Sequence, residues 1–151
     1  MGTVVQTILI ARPPEAVYNL AWRPERATEW IAGMVATGNV QPGDPDTGLG
    51  YRFDWTYRMA GLTFRGHNHI AEAEWPDRLR EESRGGLIST WEWHFEPADG
   101  GTRVHLSVRY TPPFGWLGRL LDPILLTRLN QRAMDATLAH LKRLLEAEDA
   151  A

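Results

Sequence analysis

The sequence contains no cysteine. That absence removes disulfide scaffolds, thiolate zinc sites, iron–sulfur clusters and thiol nucleophiles together. Lysine is nearly absent as well: the 16 basic residues are 15 arginines and Lys142. The arginines are scattered rather than clustered, and the formal charge is -3, so no global attraction toward nucleic acid is expected. Long apolar runs are missing. The most apolar late segment, Phe114 to Leu129, is cut by Arg119, Asp122 and Arg128 and cannot cross a bilayer as one apolar helix. Val4–Ile10 is interrupted by Gln6 and Thr7 with no basic stretch before it, which reads as a strand rather than a signal peptide. Gln6 also stands where a myristoylation signal needs Ser or Thr. There is no Walker loop, no G-x-G-x-x-G opening a helix and no G-x-S-x-G elbow around Ser83, Ser89 or Ser107. The expectation is a cytoplasmic protein with no cofactor, no nucleic-acid partner and no stable membrane insertion, its oligomeric state left open.

What remains is a chain of 151 residues, 43% hydrophobic and 23% charged. This is the size of one domain, spanning 1–151, that buries about 70% of its unfolded surface. After the first strand, Pro13-Pro14-Glu15 opens a short helix, with proline and an acid suited to the first turn. A second short helix follows Pro24 through Trp30. From Met34 to Thr111 the hydrophobic period alternates, with Gly, Pro and Asp clusters between runs. Asp122-Pro123 then supplies an N-cap and an N1 proline. The last helix runs from Pro123 to about Glu146, with an apolar stripe of Ile124, Leu125, Met134, Leu138, Leu141 and Leu145. Glu146, Glu148 and Asp149 place negative charge at the negative helix end, so the tail is expected to fray.

Hairpin arithmetic sets the faces. A two-residue loop at Ala60-Gly61 places Tyr57 opposite Phe64, Trp55 opposite Gly66 and Phe53 opposite Asn68. A turn at Trp75-Pro76-Asp77-Arg78 pairs Glu74 with Leu79 and Glu72 with Glu81. The loop Ala98-Asp99-Gly100-Gly101 aligns Phe95 with Val104, Trp93 with Leu106 and Trp91 with Val108. At Gly85-Gly86 a two-residue loop puts Leu79 on the wrong face, whereas a three-residue loop from Arg84, with a left-handed glycine and a bulge, restores parity. The product is an α+β architecture: a meandering antiparallel sheet whose aromatic face is covered by the last helix.

The order of elements, together with Pro13-Pro14-Glu15-Ala16-Val17-Tyr18, Gly101-Thr102-Arg103-Val104-His105-Leu106 and Tyr110-Thr111-Pro112-Pro113-Phe114-Gly115, resembles the START-like superfamily. That group includes the birch pollen allergen, polyketide cyclases and dehydratases, and coenzyme-Q-binding proteins. The resemblance covers nearly the whole chain. It implies a helix-grip fold, with a curved antiparallel sheet of six or seven strands wrapped around the long helix and a cavity between them. It also implies binding of a lipid, quinone or polyketide-like molecule. No catalytic motif of the family is recognisable, and fold alone does not settle function.

Three constellations carry chemistry. Phe53, Trp55, Tyr57, Phe64, Trp91, Trp93 and Tyr110 share one face; each ring alone suits a core, but together they suit a cavity closed by Met134 and Leu138. Glu72 and Glu81, with Asn68 nearby, are expected to face each other inside. Shielded there, one carboxyl would titrate high and could act as a general acid or base; the plainer reading is a pair at the open end of the sheet, hydrated or bridged by an arginine such as Arg80. His67 and His69, with Asp54 opposite, have the composition of a metal site, yet they share the face of Arg52, Thr56 and Arg65, so no metal is expected. Phe114–Leu117 reads either as a packed connection or as a lid. A binding protein, a cyclase/dehydratase-type enzyme using Glu72 or Glu81, and a protein-interaction module follow as readings in that order.

Overall fold

The computed structural model describes residues 2–111 and 123–150. Strand β1 (Gly2–Ile10) leads into helix α1 (Pro14–Ala21), a 3-10 turn (Pro24–Arg26) and helix α2 (Ala27–Trp30). Then follow β2 (Met34–Gln41), β3 (Arg52–Met59), β4 (Leu62–Glu74), β5 (Arg78–Gly85), β6 (Ile88–Ala98) and β7 (Gly101–Thr111), and helix α3 (Pro123–Ala150). The seven strands form one antiparallel sheet in the order β1-β7-β6-β5-β4-β3-β2. The first strand closes against the last, so the meander needs no crossing connection inside it.

Most local expectations hold. Pro13 is the N-cap of α1 and Pro14 its first residue, with Glu15 in the first turn. Ala60 and Gly61 both take positive φ in the two-residue β3–β4 turn, and Tyr57, Trp55 and Phe53 pair with Phe64, Gly66 and Asn68. A Cβ on Gly66 would collide with the Trp55 ring and the Arg84 carbonyl; glycine there is what lets the indole lie flat on the sheet. The β6–β7 register pairs Trp91, Trp93 and Phe95 with Val108, Leu106 and Val104.

Two registers differ from the hairpin arithmetic. The β4–β5 turn uses three residues, Trp75 to Asp77, so Glu74 pairs with Arg78 and Glu72 with Arg80. A bulge between Ile70 and Glu72 then absorbs one residue, and Ile70 lies opposite Glu81. Crossing the bulge flips the parity of β4: Ile70 and Ala73 turn inward, and Glu72 turns out. At Gly85-Gly86 the parity is right but the register is two residues off, with Leu79 opposite Trp93 and Ser83 opposite Ser89. Gly85 is left-handed (φ 110°) and pairs with Gly66, while the Gly86 N–H donates to the Arg65 carbonyl. Those contacts with β4 delay the turn.

Helix α3 also corrects two expectations. Met134, Leu138, Leu141 and Leu145 are buried, but Ile124 and Leu125 are exposed. At 100° per residue, Leu125 lies nine positions before Met134, half a turn off the stripe. The acidic tail stays helical to Ala150. Arg26 pairs with Glu148, Lys142 with Glu146, and the Arg12 guanidinium donates to the Leu145 carbonyl, supplying the positive charge that this helix end otherwise lacks. Asp122 and the segment Phe114–Leu117 lie outside the described residues.

Candidate functional site

The inner face of the sheet carries two apolar groups. One is the main core of Trp30, Trp93, Phe95, Leu106 and the α3 leucines; the other is Phe53, Trp55 and Phe64 with Met34, Tyr57 and Met59 around them. Between these groups and α3 lies a cavity of about 140 Å³. Phe53, Trp55 and Tyr57 of β3, Trp91 of β6, Tyr110 of β7 and Met134 of α3 all reach it. The helical wall is otherwise small or polar: Asn130, Ala133 and Thr137 share the stripe of Met134. Short side chains there leave the helix away from the sheet instead of filling the gap.

Glu81 lies at the inner surface of this cavity and is 9% exposed. Its Oε2 accepts from the Trp93 indole N–H at 3.2 Å, and its Oε1 from the Asn68 amide at 3.4 Å. Asn68 is oriented in turn by Ser83, whose hydroxyl donates to Oδ1 at 2.8 Å. Burial pushes the carboxyl up to about 7, against the opposing pull of the two hydrogen bonds. The group therefore changes charge near neutral pH and can either donate or accept a proton there. Among the described residues the indole N–H groups of Trp22, Trp30 and Trp55 are buried without a hydrogen-bond partner, and the rings of Trp22 and Trp55 line the cavity. Unpaired buried donors of this kind cost about 1–3 kcal/mol each. Arg23, with its guanidinium 5.0 Å from the Trp22 ring centre, brings a positive charge to the lining.

Of the residues expected at the site, Phe53, Trp55, Tyr57, Asn68, Glu81, Trp91, Tyr110 and Met134 are brought together. Phe64 packs behind Phe53 and Trp55, and Leu138 belongs to the main core. Trp93 is a core residue as well, reaching the site only through its bond to Glu81. Glu72 is not in the cavity. It is exposed on the outer face, where Arg80 lies 3.0 Å away and holds its carboxyl below the ordinary range; the expected Glu72–Glu81 pair does not form, and Arg80 bridges Glu72 to Glu82 rather than to Glu81. Sequence reasoning missed Trp22, Arg23, Ile31 and Ala32, which reach the cavity from the segment around α1 and α2. It also missed Asn130 and Thr137, although their spacing from Met134 is helical.

The outer face is the wet one. Asp54 pairs with His67 and Arg52 with His69 in the β3–β4 register, and Asp54 accepts from Asn39. Elsewhere on that face His94, Glu96 and His105 come together.

Compared with known proteins, residues 1–146 match the family described as polyketide cyclase/dehydrase and lipid transport. The chain belongs to that family. Solved structures of the same fold include TTHA0849 from Thermus thermophilus, at 25% identity and a TM-score of 0.82, covering 97% of this chain and 99% of that one. The KanY protein follows at 22% identity and a TM-score of 0.72, covering 97% and 99%. Ara h 8.0201 shares 16% identity with a TM-score of 0.67, covering 97% and 98%. No curated protein matches in sequence. As a START-like member of the polyketide cyclase/dehydrase family, the chain has a helix-grip fold, and none of its described helices is long and apolar enough to cross a membrane.

Proposed function

We propose that this protein binds a hydrophobic or amphipathic small molecule, a lipid, quinone or polyketide-like compound, in the cavity between sheet and α3. The observation that carries the reading is the cavity itself, an apolar recess of about 140 Å³ with a few converging polar groups; it has room for about one small ring, so the rest of a longer ligand would extend out of it. The aromatic walls supply contact area with little loss of side-chain freedom. Glu81 offers a partner to a ligand hydroxyl or carbonyl. A purely protein-binding module would have no need of that space.

Native mass spectrometry of gently purified protein tests for a co-purifying ligand. In parallel, an amphipathic fluorescent probe is expected to quench tryptophan emission, to be displaced by lipids or quinones, and to bind more weakly to Trp91→Ala. Unchanged probe affinity in that variant would overturn the assignment of the cavity as the binding site.

A second reading is favoured by one observation, the burial of the Glu81 carboxyl at the cavity, which pushes it up to about 7. In a cyclase/dehydratase-type reaction this carboxyl would protonate a substrate carbonyl or take up a proton next to it. Glu72, outside the cavity, has no part in it. An activity following a single ionisation near 7 and lost in Glu81→Gln, with probe binding retained, would separate the enzyme from the carrier.

A further inference from the structure

We propose that His94, Glu96 and His105 form a binding site for one divalent transition-metal ion of the zinc class on the outer face of the sheet. The site is independent of the cavity. It arises from the β6–β7 register, which sets His94 directly opposite His105, with rings stacked at 5.5 Å and an interplanar angle of 21°. Glu96, two residues along β6, shares that face by strand alternation. One ligand atom from each of the three lies within 4.8 Å of the others, and all three residues are half-buried. Around a tetrahedral zinc with bonds of about 2.1 Å, ligand atoms stand on the order of 3.4 Å apart. Binding therefore requires the stacked rings of His94 and His105 to rotate about their side-chain torsions until their in-plane lone pairs converge on the ion.

The surroundings prepare His105 for the role. Its Nε2 lies 3.1 Å from Glu96 Oε2, and its Nδ1 lies 3.2 Å from the Thr7 hydroxyl on β1. Without metal, Nε2–H donates to the carboxylate and Nδ1 accepts from the threonine. With metal, the proton resides on Nδ1 and is donated to the Thr7 oxygen, which leaves Nε2 free to ligate. A hydroxyl serves both arrangements because it can donate or accept, and such outer hydrogen bonds hold a ligating imidazole in place. Arg103, 3.6 Å from Glu96, contacts the other carboxylate oxygen, Oε1, so Oε2 remains available. Arg78 pairs with His94 in the β5–β6 register and, with Arg103, limits the affinity through charge. Two imidazoles and one carboxylate leave the fourth position to water.

The test is titration of zinc chloride into chelator-treated full-length protein, followed by calorimetry, and of cobalt chloride, followed by visible absorption. Expected are one ion per chain and at least a tenfold loss of affinity in His105→Ala and in Glu96→Gln, with little change in a His67→Ala/His69→Ala double variant. NMR of the unmodified protein provides a readout without mutation: zinc is expected to shift the imidazole signals of His94 and His105 and leave those of His67 and His69 in place. No zinc binding at millimolar concentration, binding indifferent to His105→Ala, or zinc shifts confined to His67 and His69 would each overturn the proposal.

Discussion

The two ends of the sheet's inner face use aromatic rings for opposite purposes. On β6, Trp93 and Phe95 stack at 5.7 Å, Trp30 meets Trp93 edge-on, and Tyr18 does the same to Phe95. Ring covers ring, and Leu138, Leu141 and Leu145 seal the group from above. On β3, Phe53 and Trp55 cluster with Phe64 but leave their other side to the cavity. One helix produces both outcomes. Its leucines close the packed end, while Asn130, Ala133 and Thr137 stand over the open end. Aromatic content on a strand therefore marks the buried face, and the opposing helical residues decide whether that face becomes core or cavity.

The largest expected effect contrasts the two ends. Phe95→Ala, in the fully buried stack, is expected to cost about 3–5 kcal/mol in urea denaturation. Trp91→Ala is expected to cost clearly less, because Trp91 is only partly buried and borders existing space. Equal losses would mean that the cavity end of the inner face, where Trp91 stands, is packed as tightly as the core end around Phe95.

Next in size is the buried acid. Below the ordinary carboxylate range Glu81 is protonated in both folded and unfolded chains and costs nothing electrostatically. As pH rises past 4.5 the unfolded chain ionises first, so stability falls until the folded carboxyl ionises near 7. Above that pH the penalty is complete, about 3 kcal/mol at most. Glu81→Gln is therefore expected to raise stability by about 1–3 kcal/mol at about pH 8 and to change little at about pH 4. A flat difference across that range would show that the carboxyl is hydrated.

Much of this was legible in the sequence because strand alternation and tight turns are local. Ala60-Gly61 and Asp99-Gly100 each fixed a register from residues a few positions away. The bulge next to Ile70 left no such mark, and one extra residue sufficed to send Glu72 outward. Trp22 and Arg23 could not be assigned to the cavity, since strand or helix period says nothing about where a connection crosses the sheet. His94 and His105 are different. The β6–β7 register that the turn implies already sets them opposite each other, so that pair is readable from the sequence, although His67-x-His69 is the more conspicuous pattern.

The smallest expected effect discriminates most sharply between the two glutamates. Glu72 is exposed and shares Arg80 with Glu82, an arrangement in which solvent screens most of the attraction. Arg80 holds its carboxyl low, the opposite of Glu81. Glu72→Gln is therefore expected to leave the urea midpoint unchanged within error from about pH 5 to about pH 8 and to leave probe binding intact. Carbon-detected NMR should find Glu72 titrating below, and Glu81 above, the ordinary glutamate range. If Glu72→Gln instead stabilised the protein toward neutral pH as Glu81→Gln does, the two carboxyls would have to share the interior. The bulge between Ile70 and Glu72 would then be misplaced, and with it the assignment of Glu81 as the single acid of the cavity among the described residues.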